Sequence, residues 1–165
     1  AFYRKFRGRV KGLVLADTRA QADTAEGRKG RFNLAQTAYV KGAAAVADTM
    51  LPKLLGSTSL QTKPDLVEQV RRMIHSTPVS GIMVDLMAMA NRADSVTLLN
   101  SVTCPTLVVL GEEDHTTPLA DAQLMAKGIP GARLTIIPAA GHLSNLEQPE
   151  TFNRIVSEFL SPLAG

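Results

Sequence analysis

Two short apolar runs in the C-terminal third of the sequence each lead to a polar residue, and together they constrain the fold more than any other feature. The run Thr106–Leu110 leads to Asp114, and the run Leu134–Ile137 leads to His142. The segment that connects the runs, roughly Leu119–Lys127, has the length of a short helix. A strand, a helix and a second strand in this order predict a right-handed βαβ unit with parallel strands.

This topology is expected to bring the two polar residues together. The carboxyl ends of parallel strands lie at one edge of the sheet, where open α/β sheets bind their ligands. Asp114 and His142 should therefore lie side by side at that edge. A carboxylate that fixes the tautomer of an imidazole, and stabilises its protonated form, makes that imidazole an effective general base. The pair therefore indicates a general base with its orienting acid.

A third strand is predicted near the start of the chain. The apolar run Leu13–Ala16 is typical of a buried parallel strand. It leads to Asp17, which is expected at the same edge of the sheet as Asp114 and His142. Asp17 is thus a possible alternative acid, although a turn or cap role is favoured because Asp readily accepts hydrogen bonds from nearby backbone N–H groups.

Residues 20–95 carry helical patterns and no strand signal. Thr24–Met50 is predicted to form one long or two shorter helices. Helix breaks or helix starts are expected at Pro52, Gly56, Pro64 and Pro78. About seventy residues of helix between two strands exceed a single crossover, so this segment is expected to be a separate insert.

Shorter helices are expected elsewhere. Residues 1–8 are predicted to end a helix that stops at Gly8 and carries an apolar stripe of Phe2, Tyr3 and Phe6. Asp94 is predicted to cap a short helix containing Leu98 and Leu99. The run Glu147–Glu150 is predicted to start the last helix, whose apolar stripe should cover one face of the sheet with Phe152, Ile155, Val156, Phe159 and Leu160.

Composition fits a soluble globular protein with one core. Of 165 residues, 45% are apolar and 20% are charged. No run approaches the ~18 apolar residues of a membrane span, and the first ten residues lack the apolar region of a secretory signal. The single cysteine, Cys104, excludes an internal disulfide and favours a reducing, cytoplasmic compartment.

Charge is distributed unevenly along the chain. The net charge is +3, while residues 1–31 contain nine Lys or Arg and three acidic residues, a balance of +6. A basic segment can bind nucleic acid or an anionic membrane. Here the basic residues have little aromatic interleaving, which favours a solvated surface. We therefore expect neither nucleic acid nor a membrane as a partner.

Two motifs resemble known turns. The motif P-T-L-V-V-L-G-E-E-D-x-x-x-P resembles the acid turn (residues 111–118 here) of α/β-hydrolases, and I-P-x-A-G-H-L-x-x-L-E-Q-P resembles their histidine turn (residues 138–143), as found in the esterase and lactonase branch. The resemblance implies a partial α/β-hydrolase fold with about three parallel strands, helices and a helical cap insert. It assigns residues 1–19 and 96–165 to the core, assigns residues 20–95 to the cap, and places the acid at Asp114 rather than Glu112 or Glu113.

The resemblance also implies a function. It implies a serine-type hydrolase of carboxylic esters or lactones, without cofactor or metal, to which this chain supplies Asp114 as orienting acid and His142 as general base. No G-x-S-x-G nucleophile turn occurs in the sequence. Ser57, Ser59 and Thr116 lack its strand-to-helix context, and Ser80 begins a helix instead of following a strand. Ser144 lies only two residues past His142, too close in the same loop. We therefore expect the nucleophile in a missing N-terminal half, and little activity from this chain alone.

Two alternatives to that function stay open. A cofactor-free haloperoxidase or perhydrolase resembles the same branch. A non-catalytic fold remnant or homodimeric assembly module is the other, because Leu13–Ala16 would form an open sheet edge that pairs with a second copy.

Several further side chains carry two interpretations. Three methionines of the insert could line an adaptable acyl pocket, although helix packing is favoured for Met83, Met87 and Met89. His75 is interpreted as a surface residue, and His115 as facing solvent or lying at the pocket rim.

Overall fold

A three-stranded parallel sheet organises the computed structural model, which describes residues 2–163. The strands are β1 (Leu13–Ala16), β2 (Thr106–Gly111) and β3 (Arg133–Ile137), in that spatial order. Leu13 lies opposite Thr106, and Leu107 lies opposite Arg133. The predicted set of three parallel strands is confirmed, and β2 is the central one.

Helices cover both faces of this sheet. Helix α6 (Leu119–Gly128) connects β2 to β3, and α8 (Pro149–Leu160) follows β3. Every residue of β2 is buried. Because side chains alternate along a strand, β2 contributes Val108 and Leu110 to one core with Ala122 and Met125 of α6, and Leu107 and Val109 to the other with Ile155 and Phe159 of α8. The last helix therefore covers one face of the sheet, as expected.

The N-terminal helix is shorter than predicted. Helix α1 (Phe2–Lys5) is a single turn, and a 3₁₀ turn at Arg7–Arg9 follows, so Gly8 lies inside a turn instead of ending a helix. Only Tyr3 of the predicted stripe is buried, and its hydroxyl accepts a hydrogen bond from Thr103 N at 3.0 Å. The other members, Phe2 and Phe6, are 58% and 44% exposed, because one turn cannot carry a stripe along the core.

The longest helix begins the helical insert, which is formed by residues 25–90. Helix α2 (Ala25–Leu54) starts where the Thr24 hydroxyl accepts a hydrogen bond from Gly27 N at 3.0 Å. Gly42, with φ 78° and ψ 179°, interrupts it, so α2 is two helices joined end to end. The predicted break at Pro52 is wrong. Pro52 stays within the last turns of α2, where the burial of Leu51 and Leu55 holds the chain helical.

Three more helices complete the insert: α3 (Ser57–Thr62), α4 (Pro64–Ser76) and α5 (Val79–Ala90). Helices α4 and α5 begin at Pro64 and just after Pro78, as predicted, whereas α3 was not predicted. The apolar core of the insert includes Leu143 and Leu146 from the chain after β3. Between residues 2 and 163, no helix combines the length and apolar character needed to cross a bilayer.

Two turns close the structure. The predicted short helix is a 3₁₀ helix at Val96–Ser101, and its N-cap residue is Ser95, one position after the predicted Asp94. The Asp94 carboxylate accepts hydrogen bonds from Val96 N at 2.8 Å and Ala22 N at 3.1 Å. The predicted start of the last helix within residues 147–150 is confirmed, although Glu147 itself lies outside that helix. Glu147 ends the short helix α7 (Ser144–Glu147), and α8 begins at Pro149, which has no N–H with which to continue α7.

Candidate active site

The ends of β2 and β3 bring an acid and an imidazole into contact. His142 Nδ1 lies 2.9 Å from Asp114 Oδ2. The Asp114 side chain is fully buried, while the His142 side chain is 21% exposed. The contact occupies Nδ1 and leaves Nε2 as the ring nitrogen that is not engaged by Asp114. The structure therefore brings together the two residues that the strand ends had indicated.

Backbone atoms fix the spacing between the acid turn and the histidine turn. Glu113 N donates a hydrogen bond to the Ala140 carbonyl at 2.8 Å. A Cβ atom at Gly111 would lie closer than 3.0 Å to the carbonyl oxygens of Ala140 and Gly141. The two turns therefore touch without an intervening side chain, which holds the acid and the imidazole at a fixed separation.

Asp114 receives several hydrogen bonds besides its contact with His142. Its Oδ1 accepts from Thr116 N at 2.7 Å and Thr117 N at 2.9 Å, and its Oδ2 accepts from the Thr117 hydroxyl at 2.6 Å. Burial alone would raise the pKa of Asp114. The hydrogen bonds from His142 and Thr117 outweigh burial, so the pKa lies below its ordinary value. Asp114 is therefore a carboxylate at neutral pH.

Asp17 lies at the end of β1 but does not hold the imidazole. Its Oδ1 accepts a hydrogen bond from Gly111 N at 3.0 Å, and its Oδ2 accepts from the Ser144 hydroxyl at 2.5 Å. Burial raises the pKa of Asp17, and these hydrogen bonds offset the rise only in part. Asp17 thus has the contacts of a turn residue, with φ 46°, and Asp114 takes the position against His142 that the alternative assignment gave to Asp17.

The hydroxyl residues weighed as nucleophiles lie in other contacts. Ser144 and Ser59 are fully buried, Ser57 donates to Glu113 at 3.0 Å, and the Thr116 hydroxyl donates to the Lys53 carbonyl at 2.7 Å. Ser80 is exposed on α5. Across residues 2–163, no serine hydroxyl is hydrogen-bonded to His142.

Glu113 holds the helical insert instead of the imidazole. Its carboxylate accepts hydrogen bonds from Thr58 N at 2.8 Å, from the Thr58 hydroxyl at 2.5 Å and from the Ser57 hydroxyl. The hydrogen bonds from Thr58 lower the pKa of Glu113. Its neighbour Glu112 is exposed. Glu113 therefore attaches α3 to the acid turn, a role that sequence reasoning missed because Thr58 is 55 positions away.

Glu147 is the second functional candidate that sequence reasoning missed. Its side chain is fully buried and accepts hydrogen bonds only from backbone N–H groups, those of Gly56, Gly141 and Leu143. Its position as the acid of the L-E-Q-P motif had suggested a helix start. The sequence gives little signal for this burial, because Glu147 stands among polar residues and a glutamate is rarely buried without a specific partner.

Part of the basic excess near the N-terminus surrounds one buried acid. Asp23 lies 2.5 Å from Arg19 Nη2, 2.9 Å from Arg31 Nε and 3.8 Å from Arg92 Nη2. Burial alone would raise the pKa of Asp23, but hydrogen bonds from Arg31 and Arg19 outweigh it and lower the pKa. These ion pairs fasten the segment after β1 to α2 beside a cavity of about 340 Å³.

The remaining candidates form no hydrogen bond with Asp114 or His142 among the described residues. Met83, Met87 and Met89 are half-buried on α5, which packs against α2. His75 and His115 are exposed, in accordance with their interpretation as surface residues. Cys104 is half-buried beside the core on the α6 face.

Comparisons with known proteins support the fold. The thermophilic esterase from Thermogutta terrifontis, solved with malate bound, is 37% identical with a TM-score of 0.93, and the match covers 98% of this chain and 60% of the esterase. An enol-lactonase from Burkholderia xenovorans is 26% identical with a TM-score of 0.87, over 98% of this chain and 60% of the lactonase.

Curated relatives agree with the structures. The 3-oxoadipate enol-lactonase 2 of Acinetobacter baylyi is 28% identical over 151 residues, which is 92% of this chain and 55% of that enzyme. This chain thus spans little more than half the length of the relative. The resemblance to α/β-hydrolases is confirmed, and the Ndr family matches residues 1–162. The chain therefore belongs to the Ndr family and has a partial α/β-hydrolase fold.

Proposed function

We propose that this chain is the C-terminal part of a cytoplasmic, serine-type α/β-hydrolase that acts on carboxylic esters or lactones. The observation that carries this proposal is the 2.9 Å contact between His142 Nδ1 and a buried, ionised Asp114. Similarity to an esterase and to enol-lactonases supports the class of substrate.

The contact suits general base catalysis. Asp114 accepts a hydrogen bond from the Nδ1–H group, so Nε2 of the neutral ring is free to take the proton of an attacking serine hydroxyl. The carboxylate then stabilises the imidazolium, which returns the proton to the leaving alcohol. Such proton transfer contributes roughly 10²–10⁴-fold to a rate. The amides of Thr116 and Thr117 keep the carboxylate in place throughout.

The nucleophile is proposed to come from outside this chain. The 165 residues contain no G-x-S-x-G motif. In α/β-hydrolases the residue after that serine also supplies an oxyanion donor. Since loss of oxyanion donors removes much of the stabilisation of the transition state, the chain alone should turn over esters poorly.

A chimera tests this proposal. Residues 1–165 would replace the matching C-terminal part of the Thermogutta terrifontis esterase, and hydrolysis of p-nitrophenyl esters would be measured beside that of the chain alone. We expect turnover from the chimera, its loss by roughly 10²–10⁴-fold in H142A, and its retention in the matched control H115A. A folded chimera without turnover, or one that H142A leaves unchanged, contradicts the proposal.

A second candidate is a non-catalytic module that pairs with another copy of itself. Among the described residues, β1 has β2 as its only strand neighbour and is half-buried. A cavity of about 640 Å³ beside it is lined by Leu13 and by the exposed apolar side chains of Phe2 and Leu160. An edge strand with adjacent apolar surface favours pairing with a partner.

Sedimentation velocity tests this candidate at micromolar concentration. Leu13 N donates to the carbonyl of Pro105, directly before β2, and Asp17 N donates to the carbonyl of Val109 in β2. Because amides alternate in direction along a strand, the amide of Val14 faces the open edge. V14P removes that amide and should convert a dimer to a monomer, whereas V14A keeps it and should stay dimeric. A monomeric unmodified chain would reject the pairing.

A further inference from the structure

The buried carboxylate of Glu147 binds the two backbone amides that flank His142. Its Oε1 accepts hydrogen bonds from Gly141 N at 2.8 Å and from Leu143 N at 3.3 Å. The chain is therefore held directly before and directly after the imidazole-bearing residue. Contacts on both sides leave His142 little freedom to rotate about its own backbone.

The other oxygen of the same carboxylate reaches the helical insert. Glu147 Oε2 accepts a hydrogen bond from Gly56 N at 2.8 Å, immediately before α3. The Lys63 ammonium group, at the end of α3, donates to the backbone carbonyl of Glu147. Glu147 thus joins both ends of α3 to the histidine turn. The partners of its side chain are backbone amides, and none of them is a cation.

We propose that Glu147 is a positioning residue for His142. It orients the imidazole and couples that orientation to the position of α3 in the helical insert. The effect on turnover rests on the proposed function, whereas the effect on the imidazole itself does not. Glu147 does not touch the ring. It acts through the backbone of residues 141–143.

Glu113 provides a matched comparison. It also binds α3, through Thr58 and Ser57, and it also lies next to the site. It accepts no hydrogen bond from Gly141 or Leu143, in contrast to Glu147. In E147Q the new NH₂ group opposes a backbone N–H whichever way the amide lies, whereas in E113Q it can face the Thr58 hydroxyl, which is able to accept. E147Q therefore breaks the bridge between α3 and the amides beside His142, whereas E113Q leaves those amides in place.

Solvent exchange of the His142 Nδ1 proton, followed by NMR on the full chain, tests the proposal without any substrate. We expect about tenfold faster exchange in E147Q, because the contact with Asp114 loosens, and little change in E113Q or in the exposed-residue control E150Q. Equal exchange in E147Q and E113Q would overturn the proposal. If E147Q does not fold, E147D keeps the carboxyl group but shortens its reach, and the same comparison with E113Q applies.

Turnover by the chimera separates the two proposals. In an active chimera, E147Q should lower kcat by roughly 10–10²-fold with little change in KM, since a misplaced base affects the chemical step. E113Q should change KM more than kcat. An inactive chimera with faster proton exchange in E147Q would reject the hydrolase and keep the positioning role. An active chimera with unchanged kcat in E147Q would reject the positioning role alone.

Discussion

Asp114 and Asp17 lie at the ends of neighbouring strands, and their pKa values are displaced in opposite directions. Burial acts on both carboxyl groups and raises both pKa values. At Asp114 the effect of the hydrogen bonds is larger than that of burial, and the pKa is lowered. At Asp17 the effect of burial is larger, and the pKa is raised. Two identical side chains, one strand apart, thus differ in the ease with which each one ionises.

The difference lies in where the donors come from. Asp114 takes two amides and a hydroxyl from its own turn, at Thr116 and Thr117, and adds His142. Asp17 depends on Gly111 and Ser144, which lie 94 and 127 positions away. The negative charge of Asp114 further raises the pKa of Asp17. When an environment separates two pKa values in this way, it indicates different roles for the two acids.

Replacement of each carboxylate by an amide should give the largest difference between Asp114 and Asp17. In an active chimera, D114N should lower kcat by about 10⁴-fold, because the amide favours the wrong imidazole tautomer. D17N should lower it by less than about tenfold, since Asp17 does not contact the ring. Steady-state kinetics on p-nitrophenyl esters measures both. Equal losses would assign the orienting role to the two acids jointly.

Removal of one hydroxyl donor from each acid gives an intermediate effect. T117V deletes the donor at 2.6 Å from Asp114, and S144A deletes the donor at 2.5 Å from Asp17. Each loss should cost about 1.5–3 kcal/mol of unfolding free energy, as expected for a hydrogen bond to a charged acceptor. Urea unfolding measures the cost. Only T117V should also lower kcat, and a loss in S144A would contradict the separation of roles.

The pH dependence of stability should give the smallest effect, with opposite signs. Asp17 has a folded pKa above its ordinary 3.8, so it favours folding at low pH and this contribution is lost as pH rises through the folded value. Asp114 has a folded pKa below 3.8, so its contribution is present above 3.8 and is lost as pH falls through the folded value.

Urea unfolding of D17N and D114N across the acidic range measures these signs. Relative to the unmodified chain, the unfolding free energy of D17N should rise with pH just above 3.8, and that of D114N should fall with increasing pH just below 3.8. Parallel slopes for the two variants would show that the hydrogen bonds of Asp114 do not offset its burial.

Local pattern was sufficient for the sheet. The run Leu13–Ala16 became β1 without change, and β2 and β3 differ from prediction by a single terminal residue. Continuous apolar runs with polar ends are set by burial on both faces. The contact of Asp114 with His142 followed from that topology, because parallel strand ends share one edge.

Long-range partners limited the remaining predictions. The local pattern places Glu147 in the run that starts the last helix and does not predict its burial, since one of its donors, Gly56, lies 91 positions away. The ring of Pro52 predicts a break, yet packing in the insert keeps this residue helical. The exposure of Phe2 also depends on tertiary packing, which a stripe of apolar residues does not specify.

The direct backbone contact between the acid turn and the histidine turn has a consequence for how the sequence can vary. Any side chain at Gly111 would collide with the carbonyls of Ala140 and Gly141, and any side chain at Gly141 would collide with Gly56. In a saturation library, both positions should tolerate glycine alone, although neither residue takes part in chemistry. Any related sequence that keeps this site must therefore keep glycine at both positions, as strictly as it keeps the acid and the imidazole.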